Sequence, residues 1–386
     1  MLPAPDQRLI ERSRKLVEKI CHEIQLNAGW IGFDRFMQLA LYCPGLGYYS
    51  GPQEKFGEQG DFITAPMMGD LFARCMAEQI AEVLGHVEGG NIYEFGAGDG
   101  SLAAGILRAL ARRNCLPSSY FIIETSADLR QRQQQKLQAL DGGIGDRVRW
   151  LDQLPQSFTG VIFANELLDA MPCKRFEANR DGSCKELGVT FVDQSLEWKV
   201  SQGPQLEMPA DVKFAPGYQS ERMLQAEAWI RTVGAMLRSG VLLLVDYGFP
   251  QTEFYHPDRM RGTLMCHYRH RSHGDPFFWP GLQDITTHID FTAIAEAGRS
   301  AGLEISGYCD QANFLMSCGL IDILNQQQNH QQSDSRAMME RAAEVKKLTM
   351  PHEMGELFKV IALTRNYQGP LMGFSRRNQI NRLGAL

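Results

Sequence analysis

The segment Ile-Tyr-Glu-Phe-Gly-Ala-Gly-Asp-Gly-Ser-Leu-Ala, residues 92–103, decides the fold. A short apolar run containing Glu94 is followed by three glycines at alternate positions, Gly96, Gly98 and Gly100. A helical pattern of apolar residues then begins at Leu102. This order predicts a strand, a tight turn and a helix, because glycines accept left-handed backbone angles and let a ligand approach closely. The unpaired N–H groups of the first helical turn could bind such a ligand.

The spacing of these glycines separates two kinds of nucleotide site. A dinucleotide fingerprint has the pattern Gly-x-Gly-x-x-Gly, whereas here the third glycine comes one residue earlier and Ser101 takes its place. The pattern Glu-x-Gly-x-Gly-x-Gly resembles the first motif of S-adenosylmethionine-dependent methyltransferases. A carboxylate near the strand end suits a cationic ligand, since it can accept a hydrogen bond from an ammonium group or a bound water. A plain glycine turn of an α/β domain is the alternative.

The composition indicates a soluble chain with an ample core. Of 386 residues, 44% are hydrophobic, the net charge is −6, and no long basic tract suggests nucleic-acid binding. Nine scattered cysteines without a C-x-x-C pair predict a reduced intracellular protein. Asp6, Glu11 and Glu18 argue against a mitochondrial transit peptide, and no apolar run is long enough to span a bilayer. We therefore expect a cytoplasmic protein without stable membrane insertion.

Apolar strands and helical segments alternate after the glycine turn. Strands are predicted at residues 92–95, 120–123, 147–151, 160–164, 241–245, 304–308 and 358–364, with helices at 101–113, 128–140 and 291–301. This alternation predicts a parallel, doubly wound α/β sheet, in which ligands bind beyond the carboxyl ends of the strands. Acidic residues stand near several of those ends, namely Glu94, Glu124, Glu166 and Asp246.

The acidic residues at the strand ends are candidates for binding and catalysis. Glu124 follows the second strand, where a carboxylate can accept both hydroxyls of a ribose; a helix-start acid favoured by the helix dipole is the alternative. Asn165, Glu166 and Asp169 follow the fourth strand, beside the glycine turn, and the alternative there is a cluster that caps a short helix. Asp246 could orient a substrate or merely pair with a cation.

The segment 249–290 is aromatic, rich in histidine and arginine, and lacks periodicity. A loop of that length inside a domain is typically a lid or a binding segment. Its cysteine and histidines do not match a four-ligand zinc spacing, so no metal site is predicted. Asp284, His288 and Asp290 are candidates for contacting a polar substrate, and anchoring of the loop is the alternative.

Several separate motifs, found in a fixed order along the chain, indicate a known family. They are residues 45–50 (Gly-Leu-Gly-Tyr-Tyr-Ser), 60–66, 93–102, 164–172, 246–248, 284–291 and 348–360. With them the chain resembles, over nearly its whole length, the MidA-like class I methyltransferases, whose mitochondrial members are arginine methyltransferases acting in respiratory complex I assembly. The resemblance implies a Rossmann-like sheet, mostly parallel with an antiparallel last strand, plus a helical N-terminal region and inserted hairpin and lid segments. The chain departs from the family at Met67-Met68-Gly69, where a glutamate is usual after Pro66, and at Ala73, where a glycine is usual.

The order of predicted elements, together with the resemblance, divides the chain into segments. Residues 1–90 would form a mostly helical region covering the cofactor site, and residues 91–173, 240–310 and 355–366 the methyltransferase core. Residues 174–239 would be an inserted hairpin and helix, with the hairpin turn at Asn179-Arg-Asp-Gly. Residues 249–290 would be the lid or substrate loop, and residues 311–350 a helical C-terminal insertion.

The cofactor implied by the resemblance is S-adenosylmethionine, with S-adenosylhomocysteine as product. Its methionine part would be held by Glu94, Gly96, Gly98 and Gly100, and its ribose by Glu124. Gly60, Asp61, Phe62 and Asn165 would close over the ligand. Asp152, just after the third strand, is a weaker candidate for the adenine side.

The implied reaction is methylation of an arginine in a protein partner. A carboxylate that binds the guanidinium bidentately would fix its plane, and Glu166 is the first candidate, supported by Asp169. Asp246 or His288 could accept the released proton. A respiratory-complex subunit is the candidate partner, and a homodimer is left open. The alternatives are an assembly chaperone that binds S-adenosylmethionine without catalysis, and a small-molecule methyltransferase.

Overall fold

The computed structural model of the protein describes residues 3–51, 69–328 and 335–384. The predicted ligand-closing residues Gly60, Asp61 and Phe62 lie outside the described residues, as do Met67 and Met68. The described chain forms two compact units. The N-terminal unit comprises residues 3–51 with Leu168–Ala228 and Phe249–Asp290, and the sheet unit comprises residues 69–167 with Trp229–Gly248 and residues 291–384.

The helices and strands are numbered here in chain order. The helices are α1 (Gln7–Leu26), α2 (Phe33–Tyr42), α3 (Leu71–Leu84), α4 (Ser101–Arg112), α5 (Ala127–Gln138), α6 (Leu224–Met236), α7 (Gln251–Phe254), α8 (Phe291–Ser300), α9 (Gln311–Ser317), α10 (Leu320–Gln328) and α11 (Ser335–Thr349). The strands are β1 (Ile31–Gly32), β2 (Asn91–Phe95), β3 (Tyr120–Ile123), β4 (Val148–Trp150), β5 (Phe158–Asn165), β6 (Lys174–Ala178), β7 (Cys184–Val192), β8 (Ser195–Gln205), β9 (Gln219–Arg222), β10 (Leu237–Phe249), β11 (Met265–Tyr268), β12 (Arg271–His273), β13 (Asp284–Thr286), β14 (Ile289–Asp290), β15 (Glu304–Asp310) and β16 (Phe358–Arg365).

The sheet unit is built on strands in the order β15-β16-β10-β5-β2-β3-β4. Neighbouring strands from β10 to β4 are parallel, whereas β16 runs antiparallel to both β10 and β15. The strands are buried along most of their length, as expected for a parallel sheet covered on both faces. The predicted α/β, Rossmann-like sheet, mostly parallel with an antiparallel last strand, is therefore confirmed.

Helices α3 and α4 pack together in the largest hydrophobic cluster of the sheet unit. Leu71, Phe72 and Met76 from α3 share this cluster with Leu102 and Ile106 from α4, together with apolar residues of the central strands. A methyl group added at Gly105 of α4 would lie 2.5 Å from the Cβ of Ala73 in α3. The glycine in α4 thus provides the space for Ala73, the residue at which the chain departs from the family pattern.

Two glycines allow the neighbouring central strands β5 and β10 to approach each other closely near their N-terminal ends. Gly160 in β5 and Gly240 in β10 have φ of +116° and +131°, and they are paired in the parallel register. A Cβ atom at Gly240 would lie 1.9 Å from the carbonyl oxygen of Gly160. Only glycine fits this position, since both the backbone angle and the space exclude a side chain.

The N-terminal unit contains two smaller sheets. One has the order β1-β7-β6-β9 with β8 paired to β7, and the other has the order β12-β11-β13. Strands β6 and β7 form the antiparallel hairpin that the turn sequence Asn179-Arg-Asp-Gly predicted. The expectation of an unstructured loop over residues 249–290 is wrong, because this segment contains α7 and strands β11 to β14. Its role as a lid stays a prediction.

No helix among the described residues is long and apolar enough to cross a membrane.

Candidate active site

The glycine turn joins β2 to α4 through a left-handed backbone. Gly96, Gly98 and Gly100 have φ of +68°, +54° and +82°. Gly100 stands directly before Ser101, the first residue of α4. A Cβ atom at Gly96 would lie 2.9 Å from the side chain of Leu167, which follows β5. The turn is therefore closely packed against the segment after β5, and the three glycines serve its backbone shape.

Glu94 lies within β2, one residue before the strand ends, and is 2% exposed. Its carboxylate accepts a hydrogen bond of 2.8 Å from the hydroxyl of Tyr120 in β3. Burial raises the pKa of Glu94 to about 7; the hydrogen bond from Tyr120 opposes this, and the negative charges of Glu124 and Asp99 add to it. A positively charged group nearby would favour the ionised form of this carboxylate.

Asp99, between the second and third glycines, is held by two residues of neighbouring helices. It accepts hydrogen bonds from the backbone N–H and the hydroxyl of Ser101, each 2.9 Å long. The ammonium group of Lys136 in α5 lies 2.5 Å from its Oδ2. Burial alone would raise the pKa of Asp99, but the hydrogen bonds from Lys136 and Ser101 and the positive charge of Lys136 together outweigh it, so the pKa is lowered. These contacts hold the turn against both helices.

Glu124 directly follows β3 and is fixed from two sides. Its Oε1 accepts a 2.7 Å hydrogen bond from the backbone N–H of Ser126, and its Oε2 accepts a 3.1 Å bond from the side chain of Gln133. Ser126, rather than Glu124, is the N-cap of α5, since its side chain accepts from the backbone N–H of Leu129. Glu124 stands three residues before α5 begins at Ala127, so ribose binding and the alternative of a helix-start acid both stay predictions.

The sequence analysis missed Gln133, which connects three parts of the site. Its Nε2 donates to the carbonyl oxygen of Gly98 at 2.9 Å as well as to Glu124, and its Oε1 accepts from the indole N–H of Trp150 at 2.9 Å. Gln133 is fully buried on a face of α5 that it shares with Leu129 and Leu137. A glutamine at helical spacing between two apolar residues was the signal that could have revealed it.

The polar segment after β5 lies next to the glycine turn, as the parallel pairing of Phe95 with Ala164 requires. Asn165 donates a 3.2 Å hydrogen bond to Glu166, and the backbone N–H of Glu166 donates to Val245 in β10. Glu166 has φ of +49°, a left-handed conformation that is unfavourable for a glutamate. Residues 166–173 form turns rather than a helix, so the alternative of a helix-capping cluster is excluded.

Asp246 and Asp152 lie in different surroundings from those predicted. Strand β10 continues to Phe249, so Asp246 is inside the strand rather than beyond its end, with a side chain only 1% exposed. It is in register with Lys359 of β16. Asp152 is 79% exposed and forms an ion pair with Arg130 on the surface of the sheet unit. An exposed paired carboxylate is a weak candidate for a ligand contact.

The remaining candidates belong to the N-terminal unit. Asp169 is 3% exposed, and its carbonyl oxygen accepts from the backbone N–H of Thr287 at 3.1 Å. The backbone N–H of His288 donates to the hydroxyl of Thr263 at 3.0 Å. Asp284 accepts hydrogen bonds of 3.0 Å at both oxygens from the hydroxyl of Tyr49. This contact is compatible with the anchoring alternative, and a substrate contact of Asp284 stays a prediction.

The strand order, the left-handed glycine turn after β2 and the carboxylate after β3 define a Rossmann-like protein of the class I methyltransferase type. A family model of S-adenosyl-L-methionine-dependent methyltransferases matches residues 73–309. The chain belongs to this family.

Individual relatives agree with this assignment. The chain is 28% identical to a Caenorhabditis elegans protein named protein arginine methyltransferase NDUFAF7 homolog, mitochondrial, over 83% of this chain and 80% of that protein. It is 24% identical to the Drosophila melanogaster protein of the same name, over 91% of this chain and 86% of that protein. A crystal structure of a Burkholderia thailandensis protein, proposed to be a methyl transferase and bound to S-adenosyl-homocysteine, has a TM-score of 0.92 and 42% identity, covering 98% of this chain and 99% of that chain.

One expectation is corrected by these relatives. The prediction of a cytoplasmic protein is wrong on this comparison, because the Caenorhabditis elegans and Drosophila melanogaster proteins are named as mitochondrial. Free cysteines and a modest net charge are compatible with any reducing compartment, so the composition could not distinguish one such compartment from another.

Proposed function

We propose that this protein transfers a methyl group from S-adenosylmethionine to an arginine side chain of a partner protein. The observation that carries the proposal is the arrangement of the left-handed glycine turn beside the fixed carboxylate of Glu124. The names of the curated relatives, protein arginine methyltransferases, support arginine as the acceptor. The net charge of −6 is compatible with a basic protein partner.

The residues of the sheet unit fit such a cofactor. The three glycines have no side chains to obstruct a ligand along the turn, and Glu94 is a buried carboxylate that a positive charge would favour in its ionised form. The buried Oδ1 of Asn165 accepts no hydrogen bond from the described residues, so it offers a further acceptor. A buried acceptor without a partner is costly in the free protein and favours a ligand that donates to it.

These features support the following proposed contacts between residues and the parts of the cofactor. The methionine part would be held by Glu94 and the glycine turn, the ribose by Glu124, and Asn165 would contribute from the end of β5. When bound, S-adenosylmethionine supplies a methyl group carried on a positively charged sulfur. The protein's own task is then to orient the acceptor and to remove its proton.

Glu166 is the proposed residue for orienting the acceptor. A guanidinium is always charged near neutral pH, and a carboxylate binds it in a fixed plane through two parallel hydrogen bonds. The left-handed backbone at Glu166 is a strained conformation of the kind found at functional sites. Asp169 would support this contact, and Asp246 or His288 would accept the proton released from the nitrogen.

The test is incubation with labelled S-adenosylmethionine and the organism's own soluble and membrane proteins, followed by mapping of the labelled residue. We expect label on an arginine. Glu166→Gln should lower the label by roughly 100-fold or more while S-adenosylhomocysteine binding persists, because the neutral amide loses the charge that pairs with the guanidinium. The exposed Glu88→Gln is the matched control.

Three results would contradict the proposal. Full methyl transfer by Glu166→Gln would remove that residue from the acceptor site. Label confined to small molecules would replace the protein acceptor with a small-molecule acceptor, and binding of the cofactor without any label would favour an assembly role without catalysis.

A further inference from the structure

The side chain of Gln133 has a single possible orientation in the sheet unit. Its carboxamide group is fully buried, with Oε1 2.9 Å from the indole Nε1 of Trp150. An indole N–H can only donate, so the atom of Gln133 that faces it must be the oxygen. The amide nitrogen is consequently directed at Gly98 and Glu124, both of which present acceptors at 2.9 Å and 3.1 Å. Trp150 in β4 thus determines which way Gln133 points.

This orientation fixes the carboxylate of Glu124. The backbone N–H of Ser126 holds one oxygen at 2.7 Å, and Gln133 holds the other at 3.1 Å. A carboxylate that is bound at both oxygens cannot rotate freely, so its remaining lone pairs point in fixed directions. The same Gln133 nitrogen binds the carbonyl oxygen of Gly98, which links Glu124 to the glycine turn.

Packing alone does not explain why a glutamine stands at position 133. Its neighbours on the buried face of α5 are Leu129 and Leu137, and a leucine between them would continue the apolar face. Burying an amide is favourable only when its hydrogen bonds are made, so the glutamine adds a cost that packing does not require. The backbone of Gly100 also passes close to this residue, since a Cβ atom there would lie 3.3 Å from the Cα of Gln133.

We propose that Gln133, oriented by Trp150, is a positioning residue that aligns Glu124 with the two ribose hydroxyls of the cofactor and so gives the site its preference for ribose. This inference rests on the proposed function, because it takes S-adenosylmethionine as the ligand. It assigns a role to a residue that does not itself contact the reacting atoms.

The experiment is calorimetric titration of the full chain with S-adenosylhomocysteine and with its analogue lacking both ribose hydroxyls. The wild type should prefer S-adenosylhomocysteine. Gln133→Leu should weaken the binding of S-adenosylhomocysteine by roughly 10- to 100-fold, as expected for the loss of a hydrogen bond to a charged group. It should weaken the binding of the analogue much less. Trp150→Phe removes the indole N–H that orients the amide, together with part of the ring, and should reduce the preference in the same direction. Gln135→Leu, an exposed position on the same helix, is the control.

The possible outcomes separate the two proposals. Equal weakening of both ligands by Gln133→Leu would indicate a merely structural role and overturn the inference, as would an unchanged preference. If Gln133→Leu does not fold by thermal melting, Gln133→Met, which keeps an unbranched side chain of similar length but has no donor for Glu124, provides the same comparison. Absence of S-adenosylhomocysteine binding by the wild type would instead overturn the proposed function itself.

Discussion

At the scale of single residues, the buried carboxylate of Glu94 links the site to the stability of the fold. Its pKa of about 7 in the folded protein lies above the ordinary value of 4.5, because burial disfavours the ionised form. Between these pH values the native state therefore holds a proton that the unfolded chain has released. The resulting stabilisation is fully present below pH 4.5 and is lost as the pH rises through about 7.

The variant Glu94→Gln should remove this pH dependence. Relative to wild type, its free energy of unfolding should be about 3 kcal/mol larger at pH 8 than at pH 4.5, because wild type loses this stabilisation as the pH rises and each pKa unit corresponds to about 1.4 kcal/mol. Denaturant unfolding of both proteins at the two pH values measures the difference, with the exposed Glu88→Gln as the control. An equal difference between Glu94→Gln and wild type at both pH values would show that Glu94 does not titrate as described.

Candidate site residues could be predicted from the sequence where they belong to a pattern of neighbouring residues along the chain. The three glycines and Glu124 were found because strand, turn and acid follow one another along the chain. Gln133 and the bond between Tyr120 and Glu94 were missed, since they form only when separate strands and helices come together. The positive φ of Glu166 likewise has no signal in the residue type.

At the scale of elements, the paired glycines of β5 and β10 make a sharp prediction. Gly240→Ala should destabilise the fold by about 3 kcal/mol or more, because the new Cβ atom would meet the carbonyl oxygen of Gly160 at a backbone angle that alanine avoids. Gly274→Ala is the control, since a Cβ atom there would meet nothing within 4 Å. Denaturant unfolding measures both variants. Similar free energies of unfolding for the two would contradict this account of the central strands.

The elements themselves were predictable to the extent that they are long and periodic. Central strands such as β5 and β10 appear as apolar runs because both faces of the sheet are buried. Strands β11 to β13 have three or four residues each, too few for an alternating pattern to stand out among aromatic and basic neighbours. Strand β1 has only two residues, too few for a periodic pattern, and directly precedes α2.

At the scale of the whole molecule, the candidates for cofactor binding and for catalysis are distributed between two units. Glu94, the glycine turn, Glu124 and Asn165 all belong to the sheet unit. Asp169 and His288 belong to the N-terminal unit, which is formed from three separate stretches of the chain. That grouping could not be predicted from the sequence, because contacts between distant segments leave no local pattern. Cofactor binding can therefore be tested through these residues of the sheet unit, independently of the catalytic candidates in the N-terminal unit.

The most direct measurement is a crystal structure of the full chain with S-adenosylhomocysteine. We expect the homocysteine portion to lie along residues 96–100 and both ribose hydroxyls to lie within hydrogen-bond distance of the Glu124 carboxylate, with Gln133 still bonded to Trp150. A ligand bound at another surface, or one whose ribose makes no contact with Glu124, would contradict the proposed cofactor site.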